Sequence, residues 1–229
     1  MPHPTDEFMP RYPKIQSIFK RDPETNFRTF LPEFSRPEFA YLFNMEWRLE
    51  EKVDGTNIRI GYRSDTGLVI KGRKEKSQIP PHLTRALVEE FHPLNRVLEE
   101  EFGDGICIYG EGYGPKIQKG GGNYRSTPGF VVFDILIGPY WLRREDVEEI
   151  CDLLGLDIVP TVKSTPSGLS HPSNTLAYAC KLVRDGFTSH WGDFLAEGVV
   201  CKPPVNLYNH QRRRIMTKVK HCDYTYSEE

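Results

Sequence analysis

The chain has 229 residues, a formal net charge of −2, 27% charged residues and 38% apolar ones. That length supports a real core in one large domain or two small ones, and the charge excludes a globally basic nucleic-acid protein. No run approaches the roughly 20 apolar residues of a membrane span, and Met1-Pro2-His3-Pro4-Thr5-Asp6-Glu7 has neither the basic start nor the apolar stretch of a signal peptide. Cys107, Cys151, Cys180, Cys201 and Cys222 lie far apart with no C-x-x-C. They read as structural thiols of a reduced, intracellular compartment, and they argue against a cysteine zinc site. Charge is segregated along the chain. Acidic residues gather at Glu89-Glu90, Glu99 to Glu101 and Glu145 to Glu149; basic ones gather from Lys71 to Lys76, Lys116 to Lys119 and Arg212 to Lys220. A polyanion can bind such local basic surfaces despite the total charge, and an ordinary solvated mixture is the other reading.

Residues 1–40 carry Pro13, Pro23, Pro32 and Pro37 among many aromatics and sustain neither a helical nor a strand period. They read as an irregular lead-in anchored by Ile15, Ile18 and Phe19. Lys14, Lys20 and Arg21 read as solvated charge, with phosphate contact as the second reading. Residues 45–53 read as a strand that ends in Glu51-Lys52-Val53-Asp54-Gly55-Thr56-Asn57. A lysine at such a strand end can attack a nucleotide α-phosphate once desolvation, nearby cations or a metal lower its pKa. Gly55 lets backbone approach a ligand, and Asp54 can orient the amine or hold metal-bound water. About one chain in twenty of this length contains K-x-D-G by chance, so the tetrapeptide alone assigns nothing.

Ile58, Ile60 and Tyr62 alternate with polar residues and glycine as in a half-buried strand. A turn at Ser64 to Gly67 and a returning strand at Leu68 to Lys71 bring Arg73 back toward Lys52, where its planar fork can grip phosphate. Leu83, Leu87, Phe91, Leu94 and Leu98 recur at helical spacing, and Pro93 should kink or split that helix. Ile106 to Gly114 is a strand running into glycines with Glu111 at its mouth. Gly129 to Ile137 is a continuous apolar strand, broken by Phe133-Asp134, where an aromatic face suits a purine. Arg144 to Leu154 reads as an amphipathic helix, Ile158-Val159 as a short strand, residues 164–173 as a Ser/Pro/Gly loop and Thr175 to Arg184 as a helix. Glu197 opens a buried strand. Alternation puts Lys218 and Lys220 on one strand face, where two ammonium groups can hold a triphosphate and depress the pKa of Lys52.

Five elements therefore stand in order: Lys52-Val53-Asp54-Gly55, Tyr109-Gly110-Glu111, Phe133-Asp134, Glu197-Gly198-Val199-Val200 and Lys218-Val219-Lys220. Their order and spacing resemble the covalent nucleotidyltransferases, the superfamily of ATP-dependent ligases and capping enzymes. The likeness is nearest to the RNA ligase 2 family, in Glu51 to Asn57 and in Gly110-Glu111 followed by Gly114, Ile117 and Gln118. It covers about residues 45–221. It implies an α+β fold, ATP-grasp-like, with two antiparallel sheets flanked by helices around a nucleotide cleft, over residues 1–229 as one nucleotidyltransferase domain. It also implies roles. Lys52 would carry AMP. Glu51 would read the adenine edge, Phe133 would stack on the ring, and Asn57 and Arg73 would meet phosphate or ribose. Asp54, Glu111 and Glu197 would position Mg²⁺, or Mn²⁺ in its place. Lys218 and Lys220 would meet the phosphates of ATP. AMP would pass from Lys52 to an RNA 5′-phosphate, and a 3′-hydroxyl would then seal the strand.

The family usually carries a further C-terminal domain, whereas nine residues follow Lys220 here. The expectation is a nucleotidyltransferase domain that binds RNA ends, for which a partner protein could supply the remaining domain, with no membrane association. A DNA ligase or capping enzyme, and an RNA-binding module without catalysis, are the alternatives.

Overall fold

The computed structural model describes residues 8–74, 77–162 and 174–225. In chain order these form β1 (Gln16–Ser17), β2 (Phe19–Arg21), β3 (Phe30–Phe34), α1 (Pro37–Tyr41), β4 (Arg48–Glu51), β5 (Thr56–Arg63), β6 (Gly67–Gly72), α2 (Pro81–Phe91), α3 (Asn95–Phe102), β7 (Ile106–Tyr113), β8 (Gly129–Ile137), β9 (Tyr140–Trp141), α4 (Arg144–Leu154), α5 (Leu176–Asp185), β10 (Gly198–Lys202), β11 (Thr217–Lys220) and α6 (Cys222–Thr225). The chain divides into two compact units, one of Met1–Pro13 with Asp54–Val159 and one of Lys14–Val53 with Pro160–Glu229. Among the described residues no helix is long and apolar enough to cross a membrane.

The first unit is built on a five-stranded antiparallel sheet in the order β6-β5-β7-β8-β9. The alternation of Ile58, Ile60 and Tyr62 turns one face of β5 into a core. Ile106 and Ile108 of β7 and Phe130 and Val132 of β8 extend that core, and Leu83, Leu87, Phe91, Leu98 and Val147 of the helices close it. Pro93 lacks the N–H that would continue a helix. The chain accordingly passes through a 3-10 turn at His92–Leu94 between α2 and α3. Elsewhere in the unit, residues 9–12 are fixed by polar contacts. Buried Arg59 donates to the carbonyls of Gly72 (3.1 Å) and Met9 (2.7 Å), Tyr109 Oη donates to Pro10 O (2.7 Å), and Tyr12 Oη donates to Asp134 Oδ2 (2.5 Å).

The second unit holds a four-stranded sheet in the order β1-β11-β10-β4 and a ribbon of β2 and β3. Ile18, Trp47, Leu49, Val199, Cys201 and Val219 form its core with Leu176, Ala179 and Val183 of α5. Thr175 caps α5, its Oγ1 accepting from the N–H of Tyr178 at 3.1 Å. Gly198 adopts φ +150°, and a Cβ there would lie 2.1 Å from the carbonyl oxygen of Val219. Only glycine fits between those strands.

Three features depart from the sequence expectation. The sheets number three among the described residues. The four-stranded one is mixed, because β1 runs parallel to β11. The lead-in is structured, carrying β1 to β3 and α1; strands of two to five residues with prolines between them leave no period to read. The loop expected at 164–173 lies outside the described residues, as do Glu75 and Lys76 of the first basic cluster.

β4 also carries a buried ion pair. Lys202 Nζ lies 2.7 Å from Glu50 Oε2, with side chains 3% and 2% exposed, and Arg48 Nε lies 2.9 Å from Glu50 Oε1. Removing one partner strands charge in a poorly solvated place, at a cost of about 3–5 kcal/mol. Glu50→Ala is therefore expected to lower unfolding stability by about that amount in a urea titration, with little change for Glu33→Ala, whose Lys20 partner is exposed. Equal midpoints for the two variants would contradict this.

Candidate active site

In the second unit the end of β4 delivers Lys52. Its N–H donates to Gly198 O at 2.9 Å, which ties it to the start of β10. Its Nζ donates to Glu197 Oε2 at 2.6 Å and to the carbonyl of Val53 at 3.4 Å. Lys220 Nζ lies 3.3 Å from the other carboxylate oxygen of Glu197. Antiparallel pairing sets Gly198 opposite Lys220 and Val200 opposite Lys218, while buried Val219 faces the core between the two lysines. The side chains of Lys52, Glu197 and Lys220 are 22%, 20% and 25% exposed. They are therefore shielded but open to a ligand.

Lys218 completes this cluster without a side-chain hydrogen bond or ion pair among the described residues. Burial, and then the positive charges of Lys52 and Lys220, hold its ammonium below the usual lysine range; Glu197 opposes them. Burial pulls Lys220 down as well, but Glu197, Cys222 and Asp223 outweigh it and leave its pKa raised. One carboxylate thus serves three amines. The excess positive charge is a cost that an anion removes.

Glu51 is engaged differently. Its carboxylate is 3% exposed. It accepts from Ser189 Oγ at 2.6 Å and from the N–H of His190 at 2.8 Å. It fastens the 189–190 turn to the end of β4. A carboxylate offers roughly four acceptor positions, so capacity remains for a third donor.

The first unit holds the other residues singled out from the sequence. The N–H of Asp54 donates to Tyr124 Oη at 3.1 Å. A Cβ on Gly55 would meet Gly112 O at 2.4 Å and Glu111 Cγ at 2.7 Å, so a side chain there would push the two strands apart. Gln118 Nε2 donates to Gly55 O at 3.2 Å. Asn57 lies opposite Glu111 in the β5–β7 pairing. A register shift at Tyr109/Gly110 immediately precedes Glu111, and such bulges re-aim side chains. Asn57 Oδ1 is buried and has no hydrogen-bond partner among the described residues. That unmet acceptor marks a place for a donor from a ligand. Arg73 directly follows β6 and is half-buried, with no hydrogen bond or ion pair among the described residues. Phe133 is half-buried, and its ring meets Tyr12 edge-on at 4.9 Å between centroids.

The structure thus brings Lys52, Glu197 and Lys220 into contact, adds Lys218 beside them, and pairs Asn57 with Glu111. Asp54 and Glu111 belong to one unit and Glu197 to the other. Among the described residues no group of three or more His, Cys, Asp or Glu side chains stands ready to hold a metal ion. Tyr124, Ser189 and His190 were not singled out from the sequence. They sit in aperiodic polar stretches, and nothing local distinguishes them.

A family model described as RNA ligase matches residues 45–220. No curated protein sequence matches the chain. Among solved structures, the Naegleria gruberi RNA ligase with PPi is similar at 16% identity and a TM-score of 0.63, over 94% of this chain and 57% of that one. A mutant of that ligase with ATP and Mn gives 18% identity and a TM-score of 0.60, over 83% of this chain and 53% of that one. Another, with AMP and Mn, gives 15% and 0.60 over 95% and 59%. These likenesses show a shared mixed α+β fold, and the chain spans little more than half the length of those ligases. Since the family model spans most of the sequence, from before β4 to the end of β11, the chain belongs to the RNA ligase family.

Proposed function

We propose that this chain is an ATP-dependent RNA ligase that works through a lysyl-AMP at Lys52. The observation that carries the reading is Lys52 Nζ held 2.6 Å from Glu197 Oε2, with Lys218 and Lys220 on β11, the strand paired with β10. In the first step the amine forms a P–N bond at the α-phosphorus of ATP, and the P–O bond to the β-phosphate breaks. Pyrophosphate leaves. The amine must first lose a proton, and Glu197 Oε2 is the acceptor at hand. Lys218 and Lys220 neutralise the charge that develops on the departing pyrophosphate. The AMP then passes to an RNA 5′-phosphate, which restores the free amine. Attack by a 3′-hydroxyl seals the strand and releases AMP.

The remaining roles rest on the family resemblance. Asn57 and Arg73 would bind phosphate or ribose; the unmet Oδ1 of Asn57, an acceptor, supports a bond from a ribose hydroxyl. Phe133 would stack on adenine, and Glu51 would read the purine edge with its spare acceptor positions. Asp54, Glu111 and Glu197 would hold Mg²⁺ or Mn²⁺, which supplies charge neutralisation at the reacting phosphate. Mg²⁺ is usually bound by one or two carboxylates with substrate phosphates and water, so the absence of a three-residue cluster among the described residues is compatible with it. The Naegleria ligase seen with ATP and Mn supports the same choice of nucleotide and ion.

The test is a joining panel of nicked RNA, nicked DNA and a capping substrate, with ATP or GTP. RNA carrying a 5′-phosphate should be joined with ATP, and Lys52→Ala should lower the rate by more than about 10³-fold. Joining that survives Lys52→Ala would overturn the mechanism. Joining of DNA alone, or guanylylation of a 5′-diphosphate end, would reassign the substrate.

Lys218 adds a pH signature. Bound phosphate stabilises its ammonium, so its pKa rises on binding from a value already below the usual lysine range. Pyrophosphate affinity should be level at lower pH and fall as pH rises through the free-state pKa. Lys52, Lys220, Glu197 and Arg21 are the charges around it. Lys218→Arg keeps its charge throughout, so calorimetry between about pH 7.5 and about pH 10 should show a shallower fall for the variant. Parallel curves would remove Lys218 from phosphate binding.

A further inference from the structure

The stretch before β4 builds a second feature in the same unit. Lys14, Lys20 and Arg21 line a cavity of about 500 Å³ together with Lys218 of β11, Phe19 and Phe27. Among the described residues no acidic side chain lines it. Lys20 pairs with exposed Glu33 at 2.5 Å, a contact of small energetic weight. Arg21 is held by buried Asp223 at 2.6 Å. Lys14 and Lys218 have no side-chain ion pair or hydrogen bond among the described residues.

The aromatic at the cavity is displayed at a conformational cost. Asn26 and Phe27 adopt φ +53° and +62°, successive left-handed positions in a run without glycine. A bulky residue rarely takes that conformation, and structures that keep it usually fix it by other contacts. Here Phe27 N–H donates to Asp22 O at 2.9 Å, Asn26 N–H donates to Pro23 O at 3.1 Å, and Arg21 Nη1 donates to Phe27 O at 3.1 Å. So rigid a tip does not bury its ring, since Phe27 is 59% exposed. A row of cations beside an exposed, fixed aromatic is the pattern that holds single-stranded nucleic acid, with phosphate on the cations and base on the ring. A bare polyphosphate tail has no ring to place on Phe27. Lys218 belongs both to this cavity and to the cluster at Lys52, so a strand seated here would present a phosphate beside the reacting centre.

We propose that this cavity holds one nucleotide of a single-stranded RNA end, its phosphate neutralised by Lys14 and Lys218 and its base stacked on Phe27. The proposal rests on the RNA ligase reading and assigns part of its RNA surface. The test uses the full chain and a fluorescent 5′-phosphorylated oligouridylate, with affinity read by anisotropy across a salt series. Phe27→Ala should weaken binding about 5- to 100-fold, and Phe27→Trp should restore it. Lys14→Ala should weaken it and reduce the salt slope by about 0.7. Covalent AMP loading with labelled ATP is measured on the same samples and should be unchanged in all three variants. Unchanged RNA affinity in Phe27→Ala and Lys14→Ala overturns the proposal. Loss of AMP loading with RNA affinity retained also overturns it, and hands the cavity to the ATP phosphates. Wild type that binds RNA through Phe27 but never loads AMP sinks the ligase chemistry while leaving the RNA site standing.

Discussion

The contact between Lys52 and Glu197 is the constraint on which the rest of the lysine cluster depends. A lysine side chain carries about 2 kcal/mol of rotamer entropy. Two unit charges about 4 Å apart attract by about 4 kcal/mol at an effective dielectric of about 20. The pair at 2.6 Å is therefore strong enough to fix an otherwise mobile amine. The other Glu197 oxygen ties Lys220, and Lys218 crowds in without a counter-charge of its own. An incoming anion would offer the three amines the negative charge they lack.

The fold makes that contact repeatable. β4, β10 and β11 are neighbours in one sheet, and their register fixes Lys52, Glu197, Lys218 and Lys220 to within a residue. Gly198 allows the strands to close where any Cβ would strike the Val219 carbonyl. Glu50 and Lys202 bond across β4 and β10 in a place almost without water. Buried pairs of this kind contribute little net stability but punish any other partner. Here the pair stands two residues from Lys52 and ties β4 to β10. Glu51 fastens the 189–190 turn to the strand next to it. Three consecutive residues, Glu50, Glu51 and Lys52, thus do three different jobs set by which strand or turn each one meets.

Much of this was legible in the sequence. The Ile58-Ile60-Tyr62 alternation, the break at Pro93 and the bounds of α4 follow from local periodicity and backbone chemistry. Lys218 and Lys220 share a strand face because Val219 lies between them. Glu197 was legible as the acid opening a buried strand. What could not be read depends on distant pairing. Glu50 sits in a charged run that looks solvated, and its burial follows only from its place beside β10. Ser189 meets Glu51 across 138 residues of sequence, in a stretch with no period of its own. The β2–β3 ribbon is made of strands too short to leave a pattern, and its displayed phenylalanine is visible only through the backbone angles. Lys14, Lys20 and Arg21 read in sequence first as solvated charge, and only the fold gathers them with Lys218 around one cavity.

The most direct measurement is to map the adduct. The chain, shown to be folded and free of bound AMP, is incubated with ATP and Mg²⁺ without RNA, digested under neutral conditions and sequenced by mass spectrometry. The account predicts AMP on the peptide containing Lys52, attached at Nζ, and none on the peptides containing Lys218 or Lys220. No adduct in folded protein, or an adduct on another lysine with Lys52 unmodified, would contradict it.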